Sequence, residues 1–223
     1  MKEIAVLDYG IGNIRSIRNA LTKVGGTPVV TRDPEVIMKA AGLIIPGVGA
    51  FQHGMENLSQ YSMVDVIKDY VSTGKPVLGI CLGMQLMLSS SEENGFREGL
   101  NLVPGTVTKI ALPEESDLRL PHIRWSQIHP QAGARTWNGP LLDSSHQDQY
   151  YYFVHSYCAH PENKDHILAV TEYGDVEITA AIKNGNVMGC QFHPEKSGTQ
   201  GLSILTNFIS LAYNPSEQKS NQR

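Results

Sequence analysis

Apolar residues follow two different rhythms along this chain, and the change between them divides it in half. In the first half, short unbroken apolar runs alternate with stretches of helical periodicity. Ile4 to Leu7 is such a run, and Ile14, Ile17 and Leu21 then share one helical face. Gly25-Gly26 closes that helix and Pro28 to Thr31 reads as the next strand. Asp33-Pro34 opens a short helix, with Asp33 as N-cap and proline at the first helical position. Leu43 to Ile45 is a buried strand that stops at Pro46-Gly47. Helical pattern resumes after Ala50 and again from Met63 to Val71. Gly74-Lys75-Pro76 turns into the strand Val77 to Ile80, which runs straight into a helix beginning near Cys81. Strands apolar on both faces, joined by helices, predict a mostly parallel central sheet flanked by helices, an α/β fold.

The second half reads as strands: Val103 to Ile110, Tyr151 to His155, Ile167 to Glu172, Ile178 to Lys183 and Val187 to Phe192. Asn184-Gly185 is a hairpin turn between the last two, so an antiparallel section is added to the parallel sheet. Gln131 to Gln149 is polar and reads as a long surface loop. Gly201 to Ala212 is a closing helix, and the polar tail from Pro215 reads as disordered. The expected organisation is one domain over residues 1–213 followed by a tail over 214–223.

Composition narrows the function classes. The chain has 223 residues, 41% hydrophobic and 18% charged, with a net charge of −4 and both signs interspersed, which disfavours a nucleic-acid partner. No apolar stretch is long enough for a membrane span or a secretory signal, so the expectation is a cytoplasmic chain with no membrane partner. Three cysteines without C-x-x-C spacing argue against a disulfide frame or a structural zinc. The reading calls for no metal and no cofactor.

The candidate chemistry begins at Gly79-Ile80-Cys81-Leu82-Gly83, the G-x-nucleophile-x-G form of a nucleophile elbow with cysteine as the nucleophile. A sharp strand-to-helix turn lifts the side chain out of the sheet, only small neighbours fit around it, and a helix N-terminus favours thiolate. The Leu82 N–H, next after the nucleophile, is placed to donate to an oxyanion. Gln191-Phe192-His193-Pro194-Glu195 supplies the rest: an imidazole ending an apolar strand and a carboxylate two residues on to hold its ring. Strand ends of an open α/β sheet converge on one edge, which would bring His193 to Cys81. Pro46-Gly47-Val48-Gly49-Ala50-Phe51 ends another strand, and its glycines let a backbone N–H turn towards a substrate. Asp8-Tyr9-Gly10-Ile11-Gly12-Asn13 lacks the third glycine of a dinucleotide fingerprint, because Arg15 stands there. It reads as a tight turn beneath the active edge. His155 reads as a neutral, hydrogen-bonded core histidine. Cys158 and Cys190, with no adjacent base, read as structural.

Elbow, P-G-V-G loop and H-P-E, in this order, together with D-Y-G-x-G-N, V-H-S-Y and F-H-P-E-K-S, resemble the class I (triad) glutamine amidotransferases from about Ile4 to Leu211. The resemblance implies a flavodoxin-like α/β fold and hydrolysis of L-glutamine to glutamate and ammonia. Cys81 would be the nucleophile, His193 the base and acid, and Glu195 its orienting group. Leu82 and one of Gly47, Val48 and Gly49 would bind the oxyanion, and Gln85, Ser156 and Tyr157 would hold the amino and carboxylate ends of glutamine. It also implies a heterodimer with a (β/α)8-barrel synthase subunit that consumes the ammonia, with Lys196 near the interface.

One segment departs from the resemblance. Members of the histidine pathway usually carry P-H-M-G-W-N at the synthase interface, and this chain has Pro121-His122-Ile123-Arg124-Trp125-Ser126. Arg124 stands where glycine is usual, which would strain a backbone needing positive φ and change the approach of the barrel. Pro121, Ile123, Arg124 and Trp125 are thus candidate interface residues, and two ammonia acceptors stay open: a histidine precursor and a nucleotide sugar of surface polysaccharide. A stand-alone cysteine hydrolase and a catalytically inactive binding subunit are the readings from other classes.

Overall fold

The computed structural model describes residues 2–131, 137 and 140–214. Along the first half run β1 (Ile4–Leu7), α1 (Ile14–Lys23), β2 (Pro28–Thr31), α2 (Pro34–Lys39), β3 (Gly42–Ile45), α3 (Phe51–Gln60), α4 (Met63–Ser72), β4 (Val77–Ile80) and α5 (Leu82–Leu86). The second half contains β5 (Leu88–Ser91), β6 (Arg97–Glu98), β7 (Val103–Lys109), β8 (His122–Gln127), β9 (Tyr150–His155), β10 (Tyr157–Pro161), β11 (Ile167–Tyr173), β12 (Val176–Asn184), β13 (Val187–Cys190) and α6 (Gly198–Tyr213).

The central sheet has the order β11-β12-β13-β4-β3-β1-β2. β2, β1, β3, β4 and β13 are parallel; β12 and β11 extend the sheet antiparallel. The apolar runs work as a two-faced layer. Ile4, Val6, Ile44, Leu78 and Ile80 pack on one side with α1 and α6, and Ala5, Leu7, Leu43, Ile45 and Val77 on the other with α2, α3 and α4. Successive strand side chains alternate faces, so a four-residue apolar run feeds both cores at once. Asp33 caps α2 by accepting from the Glu35 N–H at 2.9 Å. Among the described residues no helix is long and apolar enough to cross a membrane.

Two smaller sheets lie against this layer. One has the order β10-β7-β5-β6, and the other is the antiparallel pair β8–β9. Four of these strands, β5, β6, β8 and β10, have no clear signal in the sequence pattern: Ser and charged residues fill β5 and β6, and β8 carries exposed apolar residues. The long loop expected over Gln131 to Gln149 needs correction at its end. Leu141 and Leu142 are fully buried there and a 3-10 turn spans Ser144–His146, while 132–136, 138 and 139 lie outside the described residues. So does the tail from Pro215. The strand expected to run to Phe192 leaves the ladder at Cys190, and the Gln191 N–H still donates to the Ala180 carbonyl at 2.8 Å. His193 therefore sits beyond the strand, where its N–H donates to the Tyr152 carbonyl of β9 at 3.0 Å.

Candidate active site

Because β3, β4 and β13 are parallel neighbours, their carboxyl ends open onto one edge, and the three candidate motifs meet there. Cys81 is the hinge of that edge. Its backbone takes φ 55° and ψ −113°, a left-handed conformation that costs a residue with a Cβ energy. The turn is held by the Cys81 N–H donating to the Cys190 carbonyl at 2.8 Å and by the Cys81 carbonyl accepting from Met84 and Gln85 in α5. The glycines are required by close approach. A Cβ on Gly83 would lie 1.9 Å from the Ile45 carbonyl oxygen, and one on Gly47 would lie 2.5 Å from the Gly83 nitrogen. The P-G-V-G loop is thus packed directly on the elbow. Beneath it the Tyr9 hydroxyl donates to the Pro46 carbonyl at 2.5 Å, and Gly12 passes so near Pro46 that a Cβ there would touch its ring at 2.8 Å. The Asp8 to Asn13 turn is a support for this loop.

Past the elbow, Gly49 has φ +99° with open space around it, and Val48 is 42% exposed. Among the described residues the N–H groups of Val48, Gly49 and Leu82 donate to no acceptor in the chain. Leu82 opens α5, where an amide has no intrahelical partner, and Val48 and Gly49 share the cleft wall with it, so these are available donors in the cleft that Cys81 lines.

His193 and Glu195 lie on the opposite wall, around a 3-10 turn at Pro194–Lys196. His193 Nδ1 is 2.9 Å from Glu195 Oε1, with both side chains almost wholly buried. Among the described residues Nε2 finds no hydrogen-bond partner, and neither does Glu195 Oε2. Burial by itself would lower the imidazole pKa, but the Cys81 sulfur and the Glu195 carboxylate outweigh it and push it up to about 9. The arrangement favours the imidazolium form of His193, held between the Cys81 sulfur and the Glu195 carboxylate.

Cys81 and His193 line a cleft of about 380 Å³ with Val48, Gly49, Leu82, Gln85, Glu93, Pro121, Val154, His155, Ser156 and Tyr157. The structure brings every candidate residue of the elbow, the P-G-V-G loop and the V-H-S-Y segment to this cleft except Gly47, which packs beneath. Glu93 is the group the sequence reading missed. Its Oε2 accepts from the Phe51 N–H at the start of α3 at 2.7 Å, leaving a carboxylate in the wall that suits an ammonium. The only trace in the sequence is an acidic pair, Glu92-Glu93, shortly after the elbow helix. His155 is a neutral histidine: burial drives its pKa down to about 4, and its Nδ1–H donates to the Tyr157 carbonyl at 2.8 Å. Cys158 does have a neighbouring base, contrary to the sequence reading, since its Sγ is 3.2 Å from His160 Nε2. Burial nevertheless pushes that thiol up to about 11, so it stays protonated. Complete burial, with the Glu195 carboxylate nearby, also raises the Cys190 thiol.

The interface candidates form a surface beside the cleft mouth. Ile123 and Trp125 are half exposed on one face of β8, and Trp125 meets Tyr152 edge-on at 6.1 Å. The Lys196 ammonium lies 5.8 Å from the Tyr152 ring centre. Pro121 lies at the cleft itself. The strain expected at Arg124 is absent. Arg124 sits in extended backbone opposite Phe153, and its guanidinium lies over the Tyr173 ring at 5.1 Å.

A cysteine elbow and a buried imidazole–carboxylate pair at one edge of an α/β sheet with an antiparallel extension give the chain the layout of an α/β enzyme. Comparison with known families agrees: the family model for class-I glutamine amidotransferases matches residues 5–211, and the chain belongs to that family. Among curated proteins it is 43% identical over 213 residues to the imidazole glycerol phosphate synthase subunit HisH of Methanosarcina barkeri, covering 95% of this chain and all of that one. It is 44% identical over 208 residues to the HisH subunit of Methanothermobacter thermautotrophicus, covering 93% and 98%. A crystal structure of a glutamine amidotransferase aligns over 94% of this chain and 98% of its own, with a TM-score of 0.71 at 19% identity, a likeness of fold.

Proposed function

We propose that this chain is the glutaminase subunit of imidazole glycerol phosphate synthase, releasing ammonia from L-glutamine for a (β/α)8-barrel subunit that forms imidazole glycerol phosphate and AICAR in histidine biosynthesis. The observation that carries the hydrolytic step is the Cys81 elbow beside the His193–Glu195 pair, flanked by free backbone N–H groups. Cys81 thiolate attacks the carboxamide carbon of glutamine. The oxyanion takes the Leu82 N–H and an N–H of the Gly47 to Gly49 loop, and His193 Nε2 gives its proton to the departing nitrogen. A γ-glutamyl thioester and ammonia result. His193 then takes a proton from water, whose oxygen attacks the thioester, and glutamate leaves with Cys81 restored. Glu195 keeps the imidazole in register and balances its charge. Gln85, Glu93, Ser156 and Tyr157 surround the end of the cleft where the amino and carboxylate groups of the substrate fit, Glu93 facing the ammonium.

The half-exposed apolar face of Ile123 and Trp125, continuous with the cleft mouth through Pro121 and Val154, supports a docked partner that receives ammonia directly. Identities of 43–44% to HisH subunits over nearly the full chain support a histidine precursor over a nucleotide sugar as the final acceptor.

The test uses the full chain with its barrel partner. Cys81→Ala should lower glutamate release by about 10⁴-fold or more, while the complex still assembles and still turns over with ammonium salt as the nitrogen source. Release at the wild-type rate would show that the nucleophile is wrongly assigned.

A further inference from the structure

Gln191 does something the triad leaves unassigned. It is fully buried, and its Nε2 lies 3.6 Å from Cys81 Sγ, the nucleophilic atom of the reading above, on which this inference rests. Its other end is equally committed. Gln191 Oε1 accepts from Gln85 Nε2 at 2.9 Å, and Gln85 Nε2 also donates to the Tyr157 carbonyl at 3.0 Å.

The hydrogen-bond polarity of this network permits one arrangement. A backbone carbonyl only accepts, so Tyr157 fixes Gln85 with its nitrogen inward. That nitrogen can bond only to an oxygen of Gln191, so the Gln191 NH₂ must face the sulfur. The same carbonyl accepts from His155 Nδ1–H, which leaves His155 Nε2 as an acceptor for His122 Nδ1–H at 3.1 Å. His122 Nε2 in turn accepts the Ser126 hydroxyl proton at 3.0 Å. Every link from Ser126, buried on β8, to Tyr157 is thus directed. A neutral thiol is a weak acceptor, so the Gln191 amide would be buried almost unsatisfied against one. Against a thiolate it makes a charge-assisted hydrogen bond.

We propose that Gln191 is a catalytic residue that donates an N–H to the Cys81 thiolate and lowers the energy of the attacking form, with Gln85 and the Ser126–His122–His155–Tyr157 relay as the positioning residues that set its amide. His193 stabilises the thiolate with charge, and Gln191 with an oriented dipole that stays in place after the imidazolium has given up its proton. When the thioester collapses and Cys81 leaves as thiolate, that donor is already aligned.

The experiment reads the thiolate without glutamine, so it is independent of whether Cys81 is the catalytic nucleophile. In the complex of Gln191→Met with the barrel partner, the pH midpoint for alkylation of Cys81 by iodoacetamide should rise by about one pH unit, close to tenfold less thiolate on the acid side of the midpoint. An unchanged profile in a folded variant overturns the proposal. A second measurement needs no variant that must repack the core. In the wild-type chain, the side-chain NH₂ resonances of Gln191 should shift with the same midpoint as alkylation, and Cys81→Ala should abolish that shift. Resonances that do not follow the Cys81 titration overturn the proposal equally.

Discussion

His193 and His155 line the same cleft, and both are buried, yet one is held as imidazolium and the other neutral. Burial pushes both pKa values down. His193 is lifted to about 9 because the Cys81 sulfur and the Glu195 carboxylate outweigh its burial, while His155 falls to about 4 because burial dominates, the charge of His193 adds to it, and the hydrogen bond to the Tyr157 carbonyl offsets only part. The difference lies in what offsets burial: the sulfur and the carboxylate do so for His193, and a single carbonyl does not for His155. The cleft therefore has one wall that changes charge and one that only holds shape.

Breaking the charged wall should cost most. Glu195→Gln keeps the ring's neighbour in volume but removes the negative charge, so glutamate release should fall about 10²–10⁴-fold. The His193 midpoint followed by NMR should drop well below its wild-type position. An undiminished midpoint would mean that the carboxylate does not govern the imidazole. Next comes the oxyanion side. Gly47→Ala forces a methyl onto the Gly83 nitrogen, so kcat should fall about 10–100-fold and stability by about 1–3 kcal/mol. Normal turnover with an unchanged melt would show that the P-G-V-G loop does not need its packing on the elbow.

The neutral wall should be the most forgiving. His155→Asn should reduce kcat less than about tenfold and cost about 1–3 kcal/mol of stability through the lost hydrogen bonds. A loss as large as that of Glu195→Gln would make His155 a participant in proton transfer. The pH dependence of stability separates the walls as well. His193, raised in the folded chain, contributes stability that is fully present below about pH 6.5 and is lost as pH rises through about 9. His155, depressed to about 4, acts in the opposite sense: the unfolded chain binds the extra proton, so stability falls as pH drops from about 6.5 towards 4. Denaturant melts across that acid range should lose part of their slope in His155→Asn, and an unaltered slope would deny His155 its neutral state.

Much of this was legible in the residues, for a definite reason. Parallel strands buried on both faces need unbroken apolar runs, so β1, β3, β4 and β13 announce themselves, and the turn chemistry of Asp33-Pro34 and Asn184-Gly185 marks boundaries. The elbow and the H-P-E segment are local motifs whose spacing carries their meaning. β5, β6, β8 and β10 were hidden because small peripheral sheets mix serine, charge and exposed aromatics, so their strand identity comes from pairing. Glu93 and Gln191 were hidden for a related cause: a carboxylate beside a turn and an amide before a histidine acquire their roles only from what packs opposite.

The linear chain by itself determined the layered α/β architecture and singled out Cys81 and the His193–Glu195 segment as candidates, because each is encoded by residues close together along the backbone. Only the tertiary structure decided which histidine would carry charge, which N–H groups would be left free and which amide would face the sulfur. Those are properties of groups brought within a few ångströms from positions far apart in the sequence, where burial strengthens whatever dipole or charge lies nearest.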